Sequence, residues 1–286
     1  MRPRKSQPTS DGAGVKLRRA FAFHDVPRFD PFLLLDDFGS DNPADYLAGF
    51  PWHPHRGIET VTYILHGAVA HGDSMGNRGV IGDGDVQWMT AGGGIIHQEM
   101  PQRSEGRTRG FQLWVNLPAA KKMMEPRYRD VKASSIPAVS PAQGVTVKLV
   151  SGTVDGTRGP VQDLIVEVEY MEILLEAGAT WSRPIPAGRN SFAYVTAGEA
   201  RLTGTDAPVT AETLVHLADA PALEVTAGSS GAQLLFGSGV PLKEPVAWGG
   251  PIVMNTQAEL DRAFDDLDRG TFIQTQPGQV HRKFYQ

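Results

Sequence analysis

The chain has 286 residues, a formal net charge of −5, 41% hydrophobic and 21% charged residues, and no cysteine. That length can bury the core of one large domain or two ordinary ones. The negative balance argues against direct binding of nucleic acid. The missing thiols exclude disulfides, thiolate metal sites and cysteine nucleophiles, and they fit a cytoplasmic setting.

The opening, MRPRKSQPTSDGAGVKLRRA, is basic and polar. It lacks the apolar centre of a secretory signal and reads as a frayed tail leading into the first strand. No later stretch reaches the roughly 18 to 20 apolar residues of a membrane span, so no membrane partner is expected. The rest of the chain is largely a series of short runs rich in Val, Ile, Thr, Tyr and Phe, each ended by Gly or Pro: ETVTYILHG, VQWMTAG, GFQLWVNLP, VTVKLVSG, NSFAYVTAG and AQLLFGSG. This punctuation predicts an all-β chain of short strands and tight turns.

One helix stands out near the end, in NTQAELDRAFDDLDRG. Thr256 and Glu259 have capping-box spacing. Leu260, Ala263, Phe264 and Leu267 fall on one face, and Gly270 suits the position just past the helix. The Pro/Ser/Ala-rich stretch 132–144 is the candidate linker. It divides the chain into an expected first domain, 1–136, and a second, 137–286, which carries the helix. The segments 59–67 and 190–198 share length, a Tyr five places in and a final Gly, which suggests two copies of one β unit.

The chemistry concentrates in FPWHPHRGIETVTYILHG and GDVQWMTAGGGIIHQEM. Alternate residues of a strand point to the same side, so His53 and His55 can aim at one point while Pro54 faces away. His97 and Glu99 repeat the spacing. Three imidazoles and a carboxylate suit a divalent first-row transition metal with positions left for ligands, whereas structural zinc sites are more often closed and cysteine-rich. The glycines before His97 allow a tight turn.

DPFLLLDDFG, FPWHPHRGIETVTYILHG, GDVQWMTAGGGIIHQEMP, FQLWVNLP and GGPIVMNT resemble the pirin family of the cupin superfamily, from about residue 17 through the C-terminal helix. The resemblance implies a bicupin: two cupin barrels of the double-stranded β-helix or jelly-roll type, a short C-terminal helix, and one metal in the N-terminal barrel. It gives His53, His55, His97 and Glu99 as ligands, and Fe(II) as the expected ion ahead of Cu, Ni, Mn, Co or Zn. It also implies either of two functions. One is a quercetin dioxygenase that opens a flavonol ring with dioxygen and releases carbon monoxide, Glu99 serving as ligand and base. The other is a metal-dependent regulator that binds another protein, as a transcription cofactor or a modulator of a metabolic enzyme.

Two features depart from the general cupin motifs. Thr90 stands where proline is usual, and those motifs place their glutamate where this chain has Glu59. Glu59 therefore competes with Glu99 as the fourth ligand. In the second half, Pro184 and Pro186 fall near where His53 and His55 stand in the first, which implies a metal-free second barrel with a structural His216. His71 is a candidate for supporting a ligand. Gln112 and Trp114 share one strand face and are candidates for a cavity wall. Trp88 and Met89 read as core, His66 as surface, and His24 and His281 carry no signal.

Overall fold

The computed structural model describes residues 3–103 and 107–274, so His281 lies outside the described residues. Backbone contacts divide the chain into two units. Among the described residues, one holds 8–27, 32–133 and 243–274. The other holds residues 3–7, 28–31 and 134–242. The expected all-β architecture is present, with a single α-helix among the described residues.

In the first of these units, seven antiparallel strands form one sheet. Their order is Arg127–Val131, Val86–Thr90, Ile58–His66, Thr108–Asn116, Phe32–Ser40, Val15–Phe21 and Gln7–Asp11. Four more form a second sheet, in the order Phe50–His55, Ile95–Pro101, Val69–Asp73 and Arg78–Ile81. The central strand Ile58–His66 is buried along its length up to the final histidine. Both its faces are therefore covered, which explains why polar and apolar residues do not alternate there. Leu17, Phe38, Ile64, Val69 and Ile81 pack together in one cluster. Leu34, Ile58, Met89, Ile95, Trp114 and Val253 pack in another.

The last segment returns to this unit. The hairpin Ala247–Gly249 and Ile252–Met254 precedes the helix Gln257–Asp268. The capping box forms as expected: Glu259 N–H donates to Thr256 Oγ1 at 3.2 Å, and Thr256 N–H to Glu259 Oε2 at 2.9 Å. Leu260 and Ala263 are buried against Ile96, Ile252, Met254 and Phe272. Phe264 is 40% exposed, so the apolar face is narrower than its spacing suggests.

The unit boundaries differ from the expected 1–136 and 137–286, and residues 3–7 and 28–31 group with 134–242. The chain passes from the first unit to the other between residues 133 and 134, inside the linker, and residues 243–274 rejoin the first unit, so the helix packs with the first barrel. Within the linker, Ala138–Ala142 is a strand paired with Val145–Ser151. The polar start is also ordered as strands. Arg4–Lys5 pairs with Thr213–His216, and Gln7–Asp11 lies at a sheet edge. Edge pairing uses backbone groups and tolerates polar side chains.

The second unit repeats the plan. Asn190–Leu202 lies between Thr213–His216 and Ala222–Gly239, followed outward by Val168–Leu175 and Val145–Ser151. Ile58–His66 has the corresponding neighbours in the first unit, and the matched tyrosines Tyr63 and Tyr194 are both fully buried. The interior of the second unit is aliphatic, with Val147, Leu149, Ile173, Val195, Leu234 and Phe236 at its centre. His216 Nε2 bonds Asn190 Oδ1 at 2.6 Å, and its ring packs on Phe29.

Candidate metal centre

The strands Phe50–His55 and Ile95–Pro101 pair antiparallel, with His97 opposite His53 and Ile95 opposite His55. This register brings three imidazoles onto one point. One ring nitrogen from each of His53, His55 and His97 lies within 4.8 Å of the other two. Among the described residues this is the one set of His, Asp or Glu donors that converges so closely. The turn before His97 depends on glycine. Gly94 has φ +140°, and a Cβ there would sit 2.7 Å from the carbonyl oxygen of Phe272.

Backbone carbonyls fix two of the rings. His53 Nδ1 is 2.8 Å from the Pro51 carbonyl and His55 Nδ1 is 3.0 Å from that of Pro251. A carbonyl only accepts, so both Nδ1 atoms carry the proton and both Nε2 atoms present lone pairs. Those two Nε2 atoms face each other at 3.1 Å. His97 is buried, and neither of its ring nitrogens has a hydrogen-bond partner. Facing lone pairs beside an orphaned buried imidazole are unfavourable alone and are what a shared cation resolves. Carbonyl-oriented imidazoles are the usual support of a metal ligand. Burial, and secondarily the neighbouring imidazoles, hold His55 and His97 well below the ordinary imidazole range, so both stay neutral at physiological pH. The donor set fits a divalent transition metal.

Glu99 is buried in the same strand but stands outside the converging set. A bulge between His97 and Glu99 shifts the register there, and Glu99 lies opposite Phe50 on one side and His71 on the other. Thr62 Oγ1 donates to Glu99 Oε1 at 2.8 Å, and Gln112 Nε2 donates to Oε2 at 3.0 Å. Glu59 sits elsewhere. It is an odd-numbered neighbour of Thr60 and Thr62 and so lies on the opposite face of its strand, where Thr90 Oγ1 donates to it at 2.6 Å. Burial raises its pKa, outweighing Thr90, Trp88 and the Arg127 charge.

His71 lies opposite Glu99 on the neighbouring strand. The Tyr128 hydroxyl lies 2.7 Å from His71 Nδ1, and His71 Nε2 lies 3.1 Å from Asp130 Oδ2. Burial and the carboxylates of Glu99, Asp130 and Asp73 push the Tyr128 phenol upward, so it donates and His71 Nε2 carries the ring proton. Trp88 and Met89 are core, and His66 is exposed, as expected.

His53 and His55 open onto a cavity of ≈ 790 Å³. Its walls are largely apolar and include Phe23, Leu34, Phe50, Trp52, Trp114 and Trp248. Gln112 and Trp114 do line it, as their shared strand face suggests; Trp114 Nε1 donates to Gln112 Oε1 at 3.0 Å. The charged part of the wall is Arg19, Asp36 and Asp11. Arg19 binds Asp36 through Nε and Nη2 at 2.8 and 2.7 Å, and Nη2 also reaches Asp11 at 2.7 Å. Burial lifts the Asp36 carboxyl to about 6, against the opposing pull of Arg19.

Residue spacing does not reveal what the C-terminal segment contributes to the site. That segment supplies the Pro251 carbonyl to His55 and Trp248 to the cavity. Arg56, next to His55, ties it down: the guanidinium is 2% exposed and donates to Asp266 Oδ2 at 2.8 Å and to the Phe272 carbonyl at 2.9 Å, and it lies 4.2 Å from the Phe272 ring centre. Lys122 Nζ donates to Gly57 O, Asn116 Oδ1 and Val253 O at 2.7 to 2.9 Å.

Comparison with known proteins places this geometry. The family model described as Pirin matches residues 14–115, and that described as the Pirin C-terminal cupin domain matches 170–273. A pirin-like protein of Caulobacter vibrioides is 46% identical over 269 residues, covering 94% of this chain and 96% of that one. Among solved structures, quercetin 2,3-dioxygenase from Acinetobacter baumannii superposes with a TM-score of 0.88 at 30% identity over 98% of both chains. A bacterial pirin from Escherichia coli in complex with nickel(II), YhhW, superposes with a TM-score of 0.64 at 25% identity, over 84% of this chain and 98% of that one.

Proposed function

Since the chain belongs to the pirin family, with its two cupin domains, we propose that it is a mononuclear metal-dependent dioxygenase that opens the ring of a flavonol such as quercetin and releases carbon monoxide. The single observation that carries the reading is the convergence of three imidazoles at a largely apolar, aromatic-walled cavity of ≈ 790 Å³. That volume lies within the usual range for small-molecule sites. The structural likeness to a quercetin 2,3-dioxygenase adds support by analogy.

His53, His55, His97 and Glu99 would hold the metal, with Fe(II) the first choice. The bound ion would supply Lewis acidity and redox chemistry. The chain's own residues do the rest. The Pro51 and Pro251 carbonyls keep two imidazoles in the liganding tautomer. Trp52, Trp114 and Trp248 give flat apolar surfaces for an aromatic ring and exclude water from it. Glu99 serves as the base that accepts the flavonol hydroxyl proton, and Thr62 and Gln112 hold its carboxylate in place.

The test is anaerobic purification, metal analysis, loading with each candidate metal, and quercetin turnover in air. Quercetin loss that depends on the loaded metal supports the reading. A loaded protein that leaves quercetin intact refutes it and favours the regulatory role of a metal-dependent protein-binding partner.

A further inference from the structure

The seven-stranded sheet carries one polar row across the wall of an otherwise apolar cavity. Thr62 lies opposite Gln112, Gln112 opposite Asp36, and Asp36 opposite Arg19, on four neighbouring strands. At the Thr62–Gln112 end the row holds Glu99. At the other end it finishes in the two-pronged Arg19–Asp36 pair. Adjacent strands are about 4.8 Å apart, so Arg19 stands roughly 10 Å across the wall from Gln112.

An ion pair in this wall has a cost. Asp36 is 5% exposed, and desolvating a carboxylate is not fully repaid by one partner. An apolar pair of similar volume would hold the sheet equally well. The pair does, however, keep hydrogen-bonding capacity. Each Asp36 oxygen accepts one bond from Arg19, and a carboxylate oxygen can accept a second. Asp11 adds another carboxylate beside the same guanidinium.

We infer that the Arg19–Asp36 pair is a specificity-determining subsite for hydroxyl groups on the substrate ring remote from the metal. The inference rests on the flavonol reading of this site and narrows it to ring-hydroxylated flavonols. A phenolic hydroxyl donates to the Asp36 carboxylate in a charge-assisted bond, and the flat ring system spans the distance along the tryptophan walls. An unsubstituted ring would leave the desolvated carboxylate without that donor, which a polar site rejects strongly.

The experiment uses the full chain loaded with nickel(II), without oxygen, and reads quenching of tryptophan fluorescence. Quercetin and 3-hydroxyflavone share the 3-hydroxy-4-keto group, but only quercetin bears further hydroxyls on its other rings. Wild type should bind quercetin at least about tenfold tighter, the value of one good charge-assisted hydrogen bond. The double variant R19Q/D36N, which replaces the ion pair with two amides, should lose about tenfold for quercetin and change less than about twofold for 3-hydroxyflavone. The milder R19K variant, which keeps the charge but not the two-pronged bond, should fall between and secures the test if the double variant does not fold. Equal losses for both ligands, or no loss for quercetin, overturn the subsite while leaving the flavonol reading intact. Failure of wild type to bind either ligand overturns the flavonol reading and the subsite together.

Discussion

Replacing Glu99 with Gln keeps the shape of the side chain and removes its charge and basicity. The surroundings can accept an amide. Gln112 Nε2, now 3.0 Å from Oε2, can donate to the amide oxygen, and the Thr62 hydroxyl, now a donor at 2.8 Å, can rotate to accept from the amide nitrogen. Two charge-assisted bonds become neutral ones, at about 1 kcal/mol each, so the metal-free fold should lose no more than about 2 kcal/mol. Metal binding should weaken by at least about 10- to 100-fold, the usual effect of disturbing a ligand's support. It should not vanish, because three imidazoles remain. Turnover of quercetin should fall further, by about 10²- to 10⁴-fold, the usual contribution of a positioned base. Glu59→Gln is the paired control. Glu59 lies on the opposite strand face, and burial raises its pKa. A carboxyl whose folded pKa is raised is most stabilising when protonated and loses that contribution as pH rises through the folded value. The neutral amide should therefore leave stability at neutral pH unchanged or improved, with metal content intact. The assay is metal content and rate for both variants side by side. A Glu59→Gln protein without metal, beside a Glu99→Gln protein that behaves as wild type, would refute the assignment.

His53→Ala and His97→Ala should each abolish metal binding, measured as metal per chain, against one ion in wild type; two tightly bound ions in wild type would reveal a second ligand set. Phe272→Ala should lower stability by about 3 to 5 kcal/mol in thermal unfolding, since the ring is fully buried. It should also weaken metal binding, because the same segment carries the Pro251 carbonyl; a stability loss with unchanged metal affinity would confine that segment to a structural role. Lys122, depressed by burial to about 7, should give a pH signature. Between about pH 7 and 10.5 the unfolded chain holds more protons there than the folded one, so wild-type stability should gain with rising pH relative to Lys122→Met. Parallel pH curves for the two proteins would contradict this.

Local pattern makes much of the fold and site legible in the sequence. Strand punctuation, the Thr256–Glu259 capping box and the alternate-residue spacing of His53 with His55 each depend on neighbours within a few residues. The same parity distinguishes Glu99 from Glu59: Thr62, two residues from Thr60, faces Glu99, and Glu59 cannot share that face. Contributions from distant residues are not legible. The Pro251 carbonyl meets His55 across 196 residues, and a backbone oxygen leaves no mark in residue type. The return of residues 243–274 to the first barrel rests on Arg56, whose burial is visible only once Asp266 and Phe272 are placed beside it. The polar start reads as a tail because QPTSD has little strand propensity, while an edge strand needs only backbone pairing. Phe264 satisfies the helical spacing yet stays exposed, whereas Leu260 and Ala263 are the helix residues that enter the core cluster.

In the proposed function, the imidazole cluster and Glu99 serve a ring-opening dioxygenase. The most direct measurement is the carbon monoxide released per quercetin consumed by Fe(II)-loaded protein in air, with His97→Ala treated identically. Wild type should release one carbon monoxide per quercetin, and the variant none above background. Quercetin consumed without carbon monoxide, or equal release from the variant, would contradict that function.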